Sequence, residues 1–119
     1  MKYKWLDKYC LSKKGAKKDF KEEWNVIRYL IGDKMFAMHG EDKEKKAIIT
    51  LKCDPYFGQA LRGQFPDIVP GYYMNKEHWN SLDLNGNVPD DVLKQMIDMS
   101  YDLVLNSLTK KKIKEISEA

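Results

Sequence analysis

Eleven consecutive residues, Pro70-Gly71-Tyr72-Tyr73-Met74-Asn75-Lys76-Glu77-His78-Trp79-Asn80, form the densest set of recognition-type side chains in this 119-residue chain. Aromatic faces give contact area at low entropy cost, and amide, ammonium and imidazole groups give directed hydrogen bonds, so the run suits a binding surface. The same residues also suit a structural role. Pro-Gly turns the chain, a tyrosine and Trp79 fill the core, and Asn75 bonds the backbone of an irregular loop.

Catalytic chemistry has little to work with. Cys53 and His78 are the only thiolate and base pair to consider, and Cys53 closes an apolar strand, where a small buried residue is the simpler reading. His39 sits at a hairpin rim, where an exposed or backbone-bonded imidazole is expected. Glu41, Asp42 and Glu44 alternate with Lys43, Lys45 and Lys46, which neutralise them as metal ligands and leave a solvated loop. Neither GxxxxGK[ST] nor GxGxxG occurs. No enzyme, metal or cofactor is called for.

The elements that must position the run follow from periodicity. Residues 2–14 read as an amphipathic helix, with Tyr3, Leu6 and Cys10 on one stripe and lysines opposite. Residues 16–25 read as a charged connection anchored on the core by Phe20 and Trp24. Val26 to Ile31, the turn signal Gly32-Asp33 and Lys34 to His39 read as a β-hairpin, and Ala47 to Cys53 returns as a third strand. Asp54-Pro55 opens a short helix, since the carboxylate caps free N–H groups and proline is tolerated at the first position. Phe57, Ala60 and Leu61 form its buried stripe. Pro66, Pro70 and Gly71 interrupt any strand over 65–76, and His78 to Leu84 reads as a strand stopped by Asn85-Gly86-Asn87. After Pro89, apolar positions at Leu93, Met96, Ile97, Tyr101, Val104, Leu105 and Leu108 define a long core helix. Lys110, Lys111, Lys112 and Lys114 follow at its negative end, before a fraying tail. The expected fold is α+β, one domain over 1–119, with an antiparallel sheet of about five strands, helices on one side, and order αβββαββα.

Composition agrees with one soluble domain. Hydrophobic residues are 43% and charged residues 33%, enough apolar matter for a core and too much for disorder. No apolar run approaches a bilayer span and no signal-peptide stretch follows the start, so a cytoplasmic protein with no membrane role is expected. Two cysteines without a CxxC pair argue against a disulfide framework. The net charge of +3 hides a pattern. Residues 1–18 carry seven lysines against one acid, residues 47–106 are net acidic, and residues 107–119 are basic again.

Lys52-Cys53-Asp54, Phe65-Pro66, Pro70 to Lys76 with His78-Trp79, and Ser100-Tyr101-Asp102-Leu103-Val104 together resemble the MmcQ/YjbR family of small bacterial proteins. The strand Lys34-Met35-Phe36-Ala37 matches as well, so the resemblance covers nearly the whole chain. It implies a CyaY-like or secretion-chaperone-like fold. Members are commonly described as DNA-binding, with two wing-like hairpins proposed to grip the duplex. The family often has a Phe-Pro-Phe-Gly-like segment before the first strand, where this chain has Phe20-Lys21-Glu22-Glu23-Trp24. A frataxin-like iron role would rely on an acidic first helix, and this one is basic. The DNA reading expects contacts from Lys52, Arg62, Tyr72, Asn75, Lys76, His78 and Trp79, with Trp79 free to stack on an unpaired base. The first helix and Lys110 to Lys114 would add phosphate contacts. Against it, the motif lies in an acidic stretch and the sequence pI is about 8.7, below the value of about 9 typical of such domains. Binding therefore requires the two basic ends to converge on one face. The alternative is a module with a protein or peptide partner and no nucleic-acid role.

Overall fold

The computed structural model describes residues 2–71 and 75–119. Its elements are α1 (Leu6–Leu11), β1 (Lys17–Lys21), β2 (Val26–Ile31), β3 (Lys34–Glu41), β4 (Ala47–Lys52), α2 (Pro55–Gln64), β5 (Ile68–Pro70), β6 (Trp79–Asp83), α3 (Asp90–Asn106) and α4 (Lys110–Glu118). The strands make one antiparallel sheet in the order β1-β2-β3-β4-β6-β5. The fold class is the α+β one expected, with six strands.

Three elements arise where the sequence says they should. Gly32 takes a positive φ of 61° in the β2–β3 turn, a conformation that costs a residue without Cβ nothing. Asp54 caps α2, its Oδ2 accepting from the Tyr56 and Phe57 amides at 3.1 and 3.2 Å, with Pro55 at the first helical position. In α3, Leu93, Met96, Ile97, Tyr101 and Val104 are buried, while Asp90 and Asp91 sit at the positive end of its dipole.

Alternation along the strands sends Tyr29, Ile31, Ala37, Ile49, Leu51, Ile68, Leu82 and Leu84 into the core. α3 packs over β2, β3 and β4. Phe36 is fully buried and meets Tyr101 edge-on at 5.4 Å. On the opposite face, Thr50 and Ser81 share a buried hydroxyl hydrogen bond of 2.8 Å. His39 is half-buried rather than solvated, and burial pushes its imidazole below the usual value.

The β2–β3 register shifts at Tyr29/Leu30, and β3–β4 pairing stops at Ala37↔Leu51. Ser100 of α3 fills the gap. Its hydroxyl donates to the Phe36 carbonyl at 2.5 Å and accepts from the Lys52 amide at 2.8 Å. Ser100→Ala is therefore expected to lower the unfolding free energy by about 1–3 kcal/mol in a urea titration, because two backbone groups lose their bridge. A loss below about 0.5 kcal/mol would show that the bridge carries no stability.

Five local expectations are corrected. Helix α1 spans 6–11 rather than 2–14. The segment read as a connection forms edge strand β1, paired with β2 from Lys17↔Leu30 to Lys21↔Val26. Phe20 and Trp24 are not core anchors, being 58% and 54% exposed. Helix α1 reaches this edge only as far as Asp7, which binds Lys18 and Tyr29, and Trp24 instead lies under the Lys21 ammonium at 5.4 Å. Ala60 faces solvent, and Gly58 takes the buried place on α2. Finally, Lys110 to Lys114 do not extend the negative end of α3. Thr109 caps a separate helix, its Oγ1 accepting from the Lys112 amide at 3.2 Å, so Lys110, Lys111 and Lys112 occupy the first turn of α4.

Candidate functional site

The strand registers bring one end of every strand to a common rim. Lys17 pairs with Leu30, Ile31 with Lys34, Ala37 with Leu51, Leu51 with Asn80, and Asn80 with Pro70. The β2–β3 turn, the end of β4 and the start of β6 therefore share this rim. Six strands set it at about 24 Å across, at about 4.8 Å per strand.

The two basic ends of the chain meet here. Ile116 of α4 packs on Gly15, just after α1, and close to Ile31. Lys14 Nζ donates to the Ser117 carbonyl at 2.7 Å. Leu108 and Lys112 lie against Gly32 in the hairpin turn, and Lys34 Nζ reaches Ser107 Oγ at 3.3 Å. Helix α4 thus folds back onto the β2–β3 turn and carries its lysines to the rim.

Lys18, Lys21, Arg28 and Lys46 hold Asp7, Glu23, Asp19 and Glu44 at 2.7, 3.1, 2.5 and 3.4 Å, and Lys13 holds Asp98. Asp7, Asp19 and Glu23 titrate below the usual carboxylate range because of these hydrogen-bonded cations. At the rim, Lys14, Lys17, Lys34, Lys52, Lys76, Lys110, Lys111 and Lys112 have no ion pair with any carboxylate among the described residues. Three of these lysines stand at the positive end of the α4 dipole, where a cation is unfavourable by a few tenths of a kcal/mol. Local stability does not account for their placement.

The expected contact residues separate into three groups. Lys52 and Trp79 are register partners at the rim, both partly exposed, on the sheet face away from α3. Asn75 and Lys76 lie in the exposed turn before β6. There the Asn75 side chain accepts from the Glu77 amide at 2.9 Å, and its carbonyl accepts from the Trp79 amide at 2.9 Å. His78 is half-buried and its carbonyl accepts from the Cys53 amide at 2.7 Å, tying the turn to β4. Tyr72 lies outside the described residues. Arg62 points elsewhere, into the helix layer. Its Nη1 donates to Asn80 Oδ1 at 2.5 Å, and the guanidinium lines an open cleft with Pro55, Tyr56, Gln59 and Glu77.

Cys53 is fully buried, and burial pushes its thiol up to about 11, so it is protonated at neutral pH. Among the described residues, no group of three His, Cys, Asp or Glu could hold a metal ion. No helix there is long and apolar enough to cross a membrane.

The family model described as YjbR matches residues 11–103. The chain belongs to the YjbR family. Escherichia coli K12 protein YjbR, described as uncharacterized, is 33% identical over 109 residues, 92% of each chain. The uncharacterized YyaQ of Bacillus subtilis is 39% identical over 84 residues, 70% of this chain and 67% of that one. Among solved structures, the Deinococcus radiodurans protein DR2400, of domain type DUF419, superposes with a TM-score of 0.84 at 30% identity. It covers 94% of this chain and 85% of its own. A Pseudomonas syringae protein superposes at 0.75 with 27% identity, covering 87% of this chain and 98% of its own. The two solved structures share the fold of this chain.

Sequence reasoning missed Lys17 and Lys34 at the rim, and Tyr56, Gln59 and Glu77 in the cleft. The spacing of Tyr56, Gln59 and Arg62 along α2, three apart, was the available signal for a shared polar helix face. Nothing local marked Lys17 or Lys34, because strand pairing and the return of α4 place them.

Proposed function

We propose that this YjbR-family protein is a non-catalytic DNA-binding module that grips the phosphate backbone of a duplex along the lysine rim. The observation that carries the reading is convergence: Lys14, Lys17, Lys34, Lys52, Lys76, Lys110, Lys111 and Lys112 come to one rim, and none of them has an ion pair with a carboxylate among the described residues. Over about 24 Å a duplex presents roughly 14 phosphate charges, enough to meet every rim lysine. Lys17 and Lys34 come from strand ends, while Lys110, Lys111 and Lys112 come from a helix start whose free N–H groups also favour phosphate. The objection raised by the acidic middle of the sequence is met by the fold, because the two basic ends of the chain converge on one rim. A peptide partner would want a contiguous apolar patch. Among the described residues the large exposed apolar side chains are instead dispersed, with Leu11 at α1, Phe20 and Trp24 by β1, and Tyr56 and Val69 by the opposite sheet edge.

Fluorescence anisotropy with a short labelled duplex over a salt series tests the reading. With Lys17, Lys34, Lys110, Lys111 and Lys112 on phosphates, the slope of log affinity against log salt is expected to be about −4.5, which is about a 500-fold loss from 50 to 200 mM. No binding at 50 mM salt, or a slope near zero, would overturn it.

A further inference from the structure

The Arg62 cleft is built differently from the lysine rim. Asn80 is fully buried on β6, beside the edge strand β5, and spends its Oδ1 on Arg62. Its Nδ2 has no hydrogen-bond partner among the described residues, the adjacent Cys53 thiol being too weak an acceptor to satisfy it. Helix α2 reaches Asn80 only because residue 58 is glycine. A Cβ there would stand 2.8 Å from Asn80 Nδ2 and 3.5 Å from Arg62 Nη1. A buried amide with an orphaned donor and a notched helix are a costly way to hold one side chain, and both serve to orient Arg62.

The oriented guanidinium has no carboxylate partner among the described residues and keeps most of its five donors for something in the cleft. The open volume is about 430 Å³, in the range of small-molecule sites. One wall carries Tyr56, a flat aromatic face that is 83% exposed among the described residues. Gln59 lies between Tyr56 and Arg62 along the helix, and Glu77 faces them from the turn before β6. The Glu77 carboxylate would repel a second phosphate, yet it accepts well from a base amino group. An anion clamp, an aromatic face and one acceptor match a single nucleotide better than a run of backbone.

We propose that the cleft between α2 and residues 75–78 is a subsite for one unpaired nucleotide, its phosphate on Arg62 and its base stacked on Tyr56. For the source of that nucleotide the assignment rests on the DNA reading above, and it adds a preference for frayed or tailed ends over blunt duplex.

Two measurements test it. In anisotropy at fixed salt, a duplex with three unpaired nucleotides at each end is expected to bind about tenfold tighter than the same duplex with blunt ends. Tyr56→Ala, at an exposed position, should abolish that ratio and leave blunt-end affinity unchanged. In NMR titrations with deoxyguanosine 5′-monophosphate, the Arg62 Nε–H and Gln59 amide signals should shift and saturate, and Arg62→Gln should remove the response. Inorganic phosphate should reproduce the Arg62 shift more weakly, with no sensitivity to Tyr56→Ala. Shifts with the mononucleotide but no duplex binding would overturn the lysine rim and leave the cleft standing. Duplex binding with no mononucleotide shifts and no tail preference would overturn the cleft and leave the rim standing.

Discussion

Replacing Lys17, Lys34, Lys110 and Lys111 together with glutamine is expected to weaken duplex binding by about 10³- to 10⁴-fold at 100 mM salt. Each phosphate contact releases condensed counterions worth about 0.9 in the salt slope, so losing four contacts removes about 3.6 log units at that concentration. The slope should fall with the affinity, from about −4.5 to about −0.9. The fold should survive. All four side chains are exposed and none pairs with a carboxylate among the described residues. Glutamine has nearly the helix propensity of lysine, and removing two cations from the first turn of α4 relieves its dipole by a few tenths of a kcal/mol. A melting temperature that is unchanged or slightly raised, beside a collapsed affinity, separates function from stability. Retained affinity with an unchanged slope would place the DNA surface elsewhere.

Phe36→Ala is expected to lower the unfolding free energy by about 3–5 kcal/mol, a large share of the 5–15 kcal/mol typical of a domain. The ring is fully buried, edge-on to Tyr101 at 5.4 Å and tilted against Tyr29 at 6.5 Å. It sits at the strand irregularity where its own carbonyl accepts from Ser100. Close-packed rings on either side cannot collapse into the vacated space without moving α3, so the cavity term adds to the lost transfer energy. Urea unfolding should show a lowered midpoint with an unchanged slope. A loss below about 1.5 kcal/mol would mean that the region repacks freely, as cores do for volume-conserving changes.

The elements legible in the sequence share one property: their signal is local. Val26 to Ile31 and Lys34 to His39 flank Gly32-Asp33, Asp54-Pro55 announces α2, and the apolar stripe from Leu93 to Val104 has a helical period that little else could satisfy. Strand β1 was not legible because Lys-Lys-Asp-Phe-Lys has no apolar alternation. It is a strand because β2 offers an unpaired edge, and its lysines suit an edge that must not recruit another chain. Helix α4 is not legible because Lys110 to Lys114 suit the negative end of α3, where cations are favoured. It holds by the Thr109 cap and by packing Ile116 on Gly15.

For the candidate site the division is similar. Composition and order alone determined the α+β class, the family, and the count and segment distribution of the charges. They also singled out Arg62, Lys76 and Trp79 as side chains suited to binding. Which cations would stand without carboxylates, and that Lys14, Lys17, Lys34 and Lys110 to Lys112 would share one rim, was decided only by strand register and the return of α4 across Gly15 and Gly32. Asn80 likewise became the anchor of Arg62 only when Gly58 let α2 settle on the sheet. Residue types follow from the chain, but neighbours far apart in sequence are chosen by packing, and the field at a binding surface depends on those neighbours.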